Sequence, residues 1–284
     1  MKWVFAFLLV YTLSLTPRTH GAVKSPLTLS SNRPAQGDTL IVGISRPLNE
    51  ITSITFAGQP IKPFAYGSSS RAVIPVPPTK KPGNYLLRVR YANGTVPLSE
   101  RNIAVQSKRF PHIVMGVPAK LNLTPLALAE KLVEKKSVIA QKIGTGTPPA
   151  LFSAPFQFPL LDHSRIGSSF GELRTSEGTT IRHLGIDLTA PIGTPVYPLN
   201  DGTVRQAYVD TLYGNSVIVD HGAGIFSLYL HLDEFRVREG QDITKKDILG
   251  TVGQTGYATA PHLHLSLKID GAPVDPIQFI SSFK

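Results

Sequence analysis

Turn chemistry interrupts this chain so often that only one stretch is left with the length and period of a helix of several turns. Pro60, Pro63, Pro75, Pro77, Pro78 and Pro82, and the clusters Asn200-Asp201-Gly202, Tyr213-Gly214-Asn215, His221-Gly222 and Asp270-Gly271, bound short apolar runs. Proline removes ladder donors, and glycine supplies the backbone that tight turns need, so these runs read as strands. Thr39–Ile44 follows Gln36-Gly37-Asp38, and Ile51–Phe56 alternates polar with apolar before Ala57-Gly58. Tyr85–Tyr91 ends at Asn93-Gly94, a hairpin signal with Val96–Val105 as the return strand. Residues 23–107 therefore read as an immunoglobulin-like β-sandwich with proline-broken edges. No cluster of His, Asp and Glu falls in it, which makes it a structural or targeting module.

Residues 108–154 change character. Thr124-Pro125 offers an N-cap with proline at the first helical position, and Leu128, Leu132, Ile139 and Ile143 recur at helical spacing until Gly144. This short helical linker, its charged face assigned to solvent, runs into a hinge at 144–149. Residues 155–284 return to strands, at Thr194–Leu199, Thr203–Tyr208, Ser216–Asp220, Ile225–Leu232, Ile248–Val252 and His262–Ile269, an antiparallel sheet by inference. The fold is mainly β.

A chain of 284 residues exceeds what one core usually organises, and 42% hydrophobic with 17% charged residues excludes disorder as the main state. There is no cysteine, so disulfide scaffolds, Cys-ligated zinc and thiol catalysis are excluded, and any metal must use His, Asp or Glu. Lys2, the apolar run Trp3–Leu15 and the small pair Gly21-Ala22 read as a signal peptide over residues 1–22. An uncleaved anchor is the competing reading, although the run is shorter than the roughly 20 residues that span a bilayer. The expectation is an exported protein of the bacterial periplasm or cell envelope, with no stable membrane insertion after cleavage. Losing Lys2 and Arg18 lowers the net charge from +10 to +8. That favours polyanionic neighbours such as wall polymers, beside the plainer role of solubility. The scattered basic residues carry no interleaved aromatic motif, so nucleic acid is not an expected partner.

Eight histidines occur, at 20, 112, 163, 183, 221, 231, 262 and 264, five of them between 183 and 264. His183-Leu-Gly-Ile-Asp187 puts two possible ligands four residues apart, on one face of a helix or of a strand, and Gly185 with Ile186 favours the strand. His262-Leu-His264 puts two imidazoles on one strand face with Cα atoms roughly 6.5 Å apart. At that spacing one ring can ligate while the other works on substrate. Each fragment occurs by chance on its own; their combination with His231 in Tyr229-Leu-His-Leu232 does not.

The region 155–284 resembles the lysostaphin and LytM type of zinc endopeptidases, which hydrolyse peptidoglycan. The motifs that carry the likeness are Gly167-Ser-Ser-Phe-Gly-Glu-Leu-Arg174, His183-Leu-Gly-Ile-Asp187, Ala190-Pro-Ile-Gly-Thr-Pro-Val196, Asp201-Gly-Thr-Val204, Tyr213-Gly-Asn215, Val219-Asp-His-Gly222, Tyr229-Leu-His-Leu232, Val237-Arg-Glu-Gly240, Gly253-Gln-Thr-Gly256 and Pro261-His-Leu-His264. The resemblance implies one Zn2+ per chain on His183, Asp187 and His264, with water completing the site, and His231 and His262 as non-ligand catalytic histidines. It further implies peptidoglycan peptide stems as the partner. Three protein ligands and an open position are what hydrolytic zinc needs. Ala260-Pro261, where the family more often has Gly-Pro, and Leu265-Ser266, where Phe-Glu is common, bear on substrate preference. His221, His163 and His112 take structural readings. Arg174 and Arg182 either guide an acidic peptide or are solvated. The loops 172–182, 208–215 and 254–261 are expected to wall the groove. A non-catalytic wall-binding regulator of the amidase-activator type is the alternative, and a carboxypeptidase acting on the same peptides would differ only in groove shape.

Overall fold

The computed structural model describes residues 26–92, 98–114, 116, 122–144, 149–152, 155–162 and 165–283. The leader read at 1–22, the Asn93-Gly94 turn, His163 and residues 145–148 of the hinge lie outside the described residues.

Two four-stranded antiparallel sheets form the first unit. One has the order β1-β2-β6-β5, from Leu27–Leu29, Thr39–Ile44, Ser69–Pro75 and Phe64–Tyr66. The other has the order β4-β3-β7-β8, from Gln59–Ile61, Ile51–Phe56, Gly83–Tyr91 and Ser99–Val105. Leu40, Val42, Ile44, Ala72 and Ile74 of the first sheet meet Ile54, Phe56, Leu87, Val89 and Ile103 of the second in one apolar core. The run Thr39–Ile44 lacks alternation because both faces of β2 are buried. Ile41, like Val73 of β6, points the other way into the core of the second unit.

That unit is built on a ten-stranded antiparallel sheet. Its main path is β10-β13-β20-β17-β16-β15-β18, from Ile166–Ser168, Ile186–Thr189, His262–Ile269, Ile225–Phe235, Gly214–Asp220, Gly202–Asp210 and Asp242–Ile243. β14 (Pro195–Val196) and β19 (Gly250–Val252) branch from β17, and β21 (Ala272–Val274) from β20. Strand β20 shows how the period of two divides the sheet: Leu263, Leu265, Leu267 and Ile269 enter the core, so His262, His264, Ser266 and Lys268 share the opposite face.

A small sheet of β12 (Thr179–Arg182), β11 (Leu173–Ser176) and β9 (His112–Val114) stands beside it, and β9 runs parallel to β11. Helix α1 spans Pro125–Ile143, capped by Thr124, whose hydroxyl accepts from the Ala127 amide at 3.2 Å. Its Ile139 and Ile143 pack on Ile218, Phe226, Leu228 and Leu230 of the large sheet, and Lys135 Nζ lies 2.6 Å from Asp210 Oδ2. Beyond α1, Ala150 pairs with Gly222, and the Leu151 amide donates to the His221 carbonyl. A second helix, α2 (Pro276–Ser282), is capped by Asp275.

The two units share a core. Phe64 meets Phe152, Tyr66 meets Phe283, and Gln278 exchanges two hydrogen bonds with the backbone of Thr39. Lys108 Nζ lies 3.1 Å from Asp275 Oδ2. Among the described residues no helix is long and apolar enough to cross a membrane.

Candidate active site

Strand pairing assembles the site. β13 and β20 run antiparallel with Asp187 opposite His264, and the His183 amide, just before β13, donates to the Glu172 carbonyl. A Cβ on Gly185 would lie 2.5 Å from both His264 Nε2 and the Leu265 carbonyl oxygen, so only glycine lets residues 183–187 pass this close to β20. Three donor atoms then converge. Asp187 Oδ1 is 3.1 Å from His183 Nε2 and 2.8 Å from His264 Nδ1, and the two nitrogens are 3.0 Å apart.

The far side of each ring fixes its tautomer. His183 Nδ1 can only donate to the Ser169 carbonyl, 2.9 Å away, which leaves Nε2 as a lone pair. Ser266 gives its proton to the Leu184 carbonyl, so its Oγ accepts from His264 Nε2, and His264 Nδ1 is a lone pair as well. Two lone pairs and a carboxylate oxygen therefore face one another, and they repel unless a cation sits between them. Burial pushes the His264 imidazole down to about 4 despite the neighbouring Asp187, so a proton on that ring does not fill the gap at neutral pH. Burial acts to raise the Asp187 carboxyl, yet positive charge at the His183 and His264 positions holds it well below the ordinary range, a pull that a cation among the three groups would supply. Tetrahedral zinc with bonds of 2.0–2.2 Å separates its ligand atoms by about 3.3 Å. The donor set and its spacing fit such an ion.

Two further imidazoles adjoin this cluster. The His262 ring lies 5.0 Å from that of His231, and its Nε2 lies 3.6 Å from Asp187 Oδ1. His262 Nδ1 donates to the Ala260 carbonyl and His231 Nδ1 to the Thr255 carbonyl, so each presents Nε2 as an acceptor. Burial, then the charges of His264 and His262, push His231 down to about 3, so its ring is neutral. His231 reaches the cleft through a bulge. The register between β16 and β17 shifts between Asn215–Leu232 and Val217–Tyr229, and His231 takes a φ of 64°. Strict alternation would send it to the core beside Tyr229. The bulge instead lets both Leu230 and His231 line the cleft.

Arg174 lines the cleft but is engaged within the protein rather than solvated. It donates to Glu172 Oε1 at 2.8 Å and to Asp187 Oδ2 at 2.9 Å, with its side chain 13% exposed, so Asp187 keeps only Oδ1 for the cluster. Arg182 is likewise engaged, donating to the Gly171 carbonyl and lying 4.8 Å above the Phe110 ring. His221 is fully buried between the Asp201 carbonyl and Ser227, apart from the cleft, and His112 bonds Thr175 on β11. The cleft itself encloses about 440 Å3. Residues from all three expected loops line it, and α1, whose charged face was assigned to solvent, adds a wall through Ala129, Leu132 and Lys136. The clamp on Asp187 and the bulge at His231 carry no sequence signal beyond a nearby arginine. Ser266 could have been found by its period-two spacing from His264.

A His-Asp-His triad whose donor atoms could hold one metal ion, flanked by two further histidines on an antiparallel sheet, is suited to metal-assisted hydrolysis, and residues 181–276 match the model of peptidase family M23. Over those residues the chain is similar to peptidase family M23. Among the relatives, the DD-carboxypeptidase/endopeptidase Mpg of Neisseria meningitidis serogroup B is 39% identical over 123 residues, 43% of this chain and 28% of that one. The peptidoglycan DD-endopeptidase ShyA of Vibrio cholerae is 36% identical over 124 residues, 43% of this chain and 29% of that one. The matched region spans less than a third of these relatives' length. A crystal structure of a Pseudomonas aeruginosa protein assigned to peptidase M23 superposes with a TM-score of 0.58 at 28% identity, over 88% of this chain and 96% of that one.

Proposed function

We propose that this protein is an exported, zinc-dependent endopeptidase that hydrolyses peptide cross-links of bacterial peptidoglycan. The observation that carries the reading is the convergence of three lone-pair donors, on His183, Asp187 and His264, beside two imidazoles whose Nε2 atoms accept. The names of the relatives supply the substrate class. His183, Asp187 and His264 would hold one ion. When bound, zinc polarises the scissile carbonyl and lowers the pKa of a water towards about 7. The chain supplies the rest. Arg174 orients Asp187, and an acceptor Nε2, on His231 or His262, takes the proton of the attacking water. The imidazolium so formed stays tied to its backbone carbonyl and donates the proton to the departing amine. His183 through Ser169, and His264 through Ser266, keep their lone pairs on the metal side.

The test is zinc content together with release of soluble fragments from purified peptidoglycan. Wild type is expected to carry about one zinc and to cleave. His264→Ala loses metal and activity, whereas His231→Ala keeps metal and loses roughly 10²–10⁴-fold in rate. Zinc binding without release from several wall types would point to the regulator reading, and a wild type without zinc would sink the metallopeptidase.

A further inference from the structure

The face of β20 that carries His262 and His264 continues through Ser266 to Lys268, and all four residues line the same cleft. Across the ladder, Leu230, Leu228 and Phe226 of β17 lie opposite His264, Ser266 and Lys268, so the floor passes from imidazoles over leucines to an ammonium group. Lys136 of α1 lines the cleft as well, close enough to Lys268 for like-charge repulsion. The other lysines that α1 directs at the sheet have partners: Lys135 pairs with Asp210, and Lys142 bonds Gln206 and lies over the Tyr208 ring. Among the described residues no carboxylate lies within ion-pair distance of Lys136 or Lys268. Burial, and then Lys136, push the Lys268 ammonium down to about 8, the response of a partly desolvated cation left without a counterion.

We infer that Lys268 and Lys136 form a subsite for a carboxylate of the bound peptide, set beyond a small apolar stretch from the reacting bond. Two cations that face each other across a cleft repel until an anion enters, and a carboxylate has the charge and size to accept from both. Lys268 lies four positions beyond His264 along β20, about 13 Å at 3.3 Å per residue. An extended peptide covers about 3.3–3.6 Å per residue, so the recognised carboxylate lies within about four residues of the scissile bond. The leucine floor between the two ends accepts methyl-sized side chains. The chain therefore selects peptides with a free acid near the cut and discriminates against amidated ones.

This inference rests on the proposed peptide substrate, and binding separates the two. The full chain is treated with chelator to stop turnover and titrated calorimetrically with two probes. One is a diaminopimelate-containing stem tetrapeptide; the other is the same peptide with every carboxyl group amidated. Wild type is expected to bind the acid form at least tenfold more tightly. Lys268→Met brings the two affinities to within about twofold. Lys136→Met, on an exposed helix position where folding is not at risk, reduces the preference several-fold. Equal affinity for both peptides, no binding of either, or a preference that survives in Lys268→Met overturns the subsite. Fragment release from intact peptidoglycan by the metal-loaded protein then shows whether the proposed reaction stands without it.

Discussion

Asp187 divides its two oxygens, Oδ2 to Arg174 and Oδ1 to the cluster it forms with His183 and His264, and its role depends on that division. Arg174→Gln removes the cation that bridges Glu172 and Asp187 and sets the orientation of the latter, and it leaves Glu172 buried without that partner. Zinc affinity is expected to fall about 10–100-fold in chelator competition, with the fold retained. A second residue gives a prediction of a different kind. Burial pushes His221 down to about 4, only partly countered by the Asp201 carbonyl, whereas an unfolded histidine titrates near 6.5. The unfolded chain therefore binds the extra proton between those values, so stability is full above about pH 6.5 and falls as pH drops towards 4. The loss by pH 4.5 is on the order of 2–3 kcal/mol. Urea unfolding of wild type and His221→Gln at pH 7 and 4.5 checks this, the variant showing the shallower dependence. At this scale the sequence could pair His262 with His264, because β20 puts both rings on one face, whereas His183 meets Asp187 through the turn into β13 and not along a strand. Arg174's bond to Asp187 was not legible, since it joins β11 to β13, strands of two different sheets.

Among the elements, β17 shows most plainly how function departs from regular structure. A histidine with a φ of 64° costs of order 1–3 kcal/mol, and only the bulge brings it round to the cleft. Asparagine tolerates that backbone better than histidine does. His231→Asn is therefore expected to unfold at a temperature no lower than wild type while fragment release collapses, measured by thermal melts beside the wall assay. The strands could be read from the sequence because turn residues bound them and α1 because its cap and period agree. Thr194–Leu199 shrinks to Pro195–Val196, as few residues there find a ladder partner. β9 was hidden because three residues carry no pattern and take their shape from β11 alone. α2 was missed although Asp275-Pro276 is a cap followed by proline, a signal obscured by the brevity of the helix.

For the whole molecule, the sequence places a helical linker and hinge between the two units, and residues of the first unit also enter the apolar core of the second. Aromatic rings from residues 152, 156, 279 and 283 pack edge to face where the sandwich meets the second unit. Such contacts join residues far apart in sequence, and no local pattern announces them. A single calorimetric unfolding transition is expected, and Phe152→Ala should cost about 3–5 kcal/mol and lower that transition as one; two resolved peaks in wild type would contradict it. The same geometry bears on the cleft. α1 is preceded by β9, stitched into the small sheet, and followed by Ala150, stitched to Gly222 on the large one. The helix is also pinned along its own length, by Ile139 and Ile143 on the large sheet and by Lys135 at Asp210, so it serves the cleft as a fixed jaw that opens wider only by giving up those contacts.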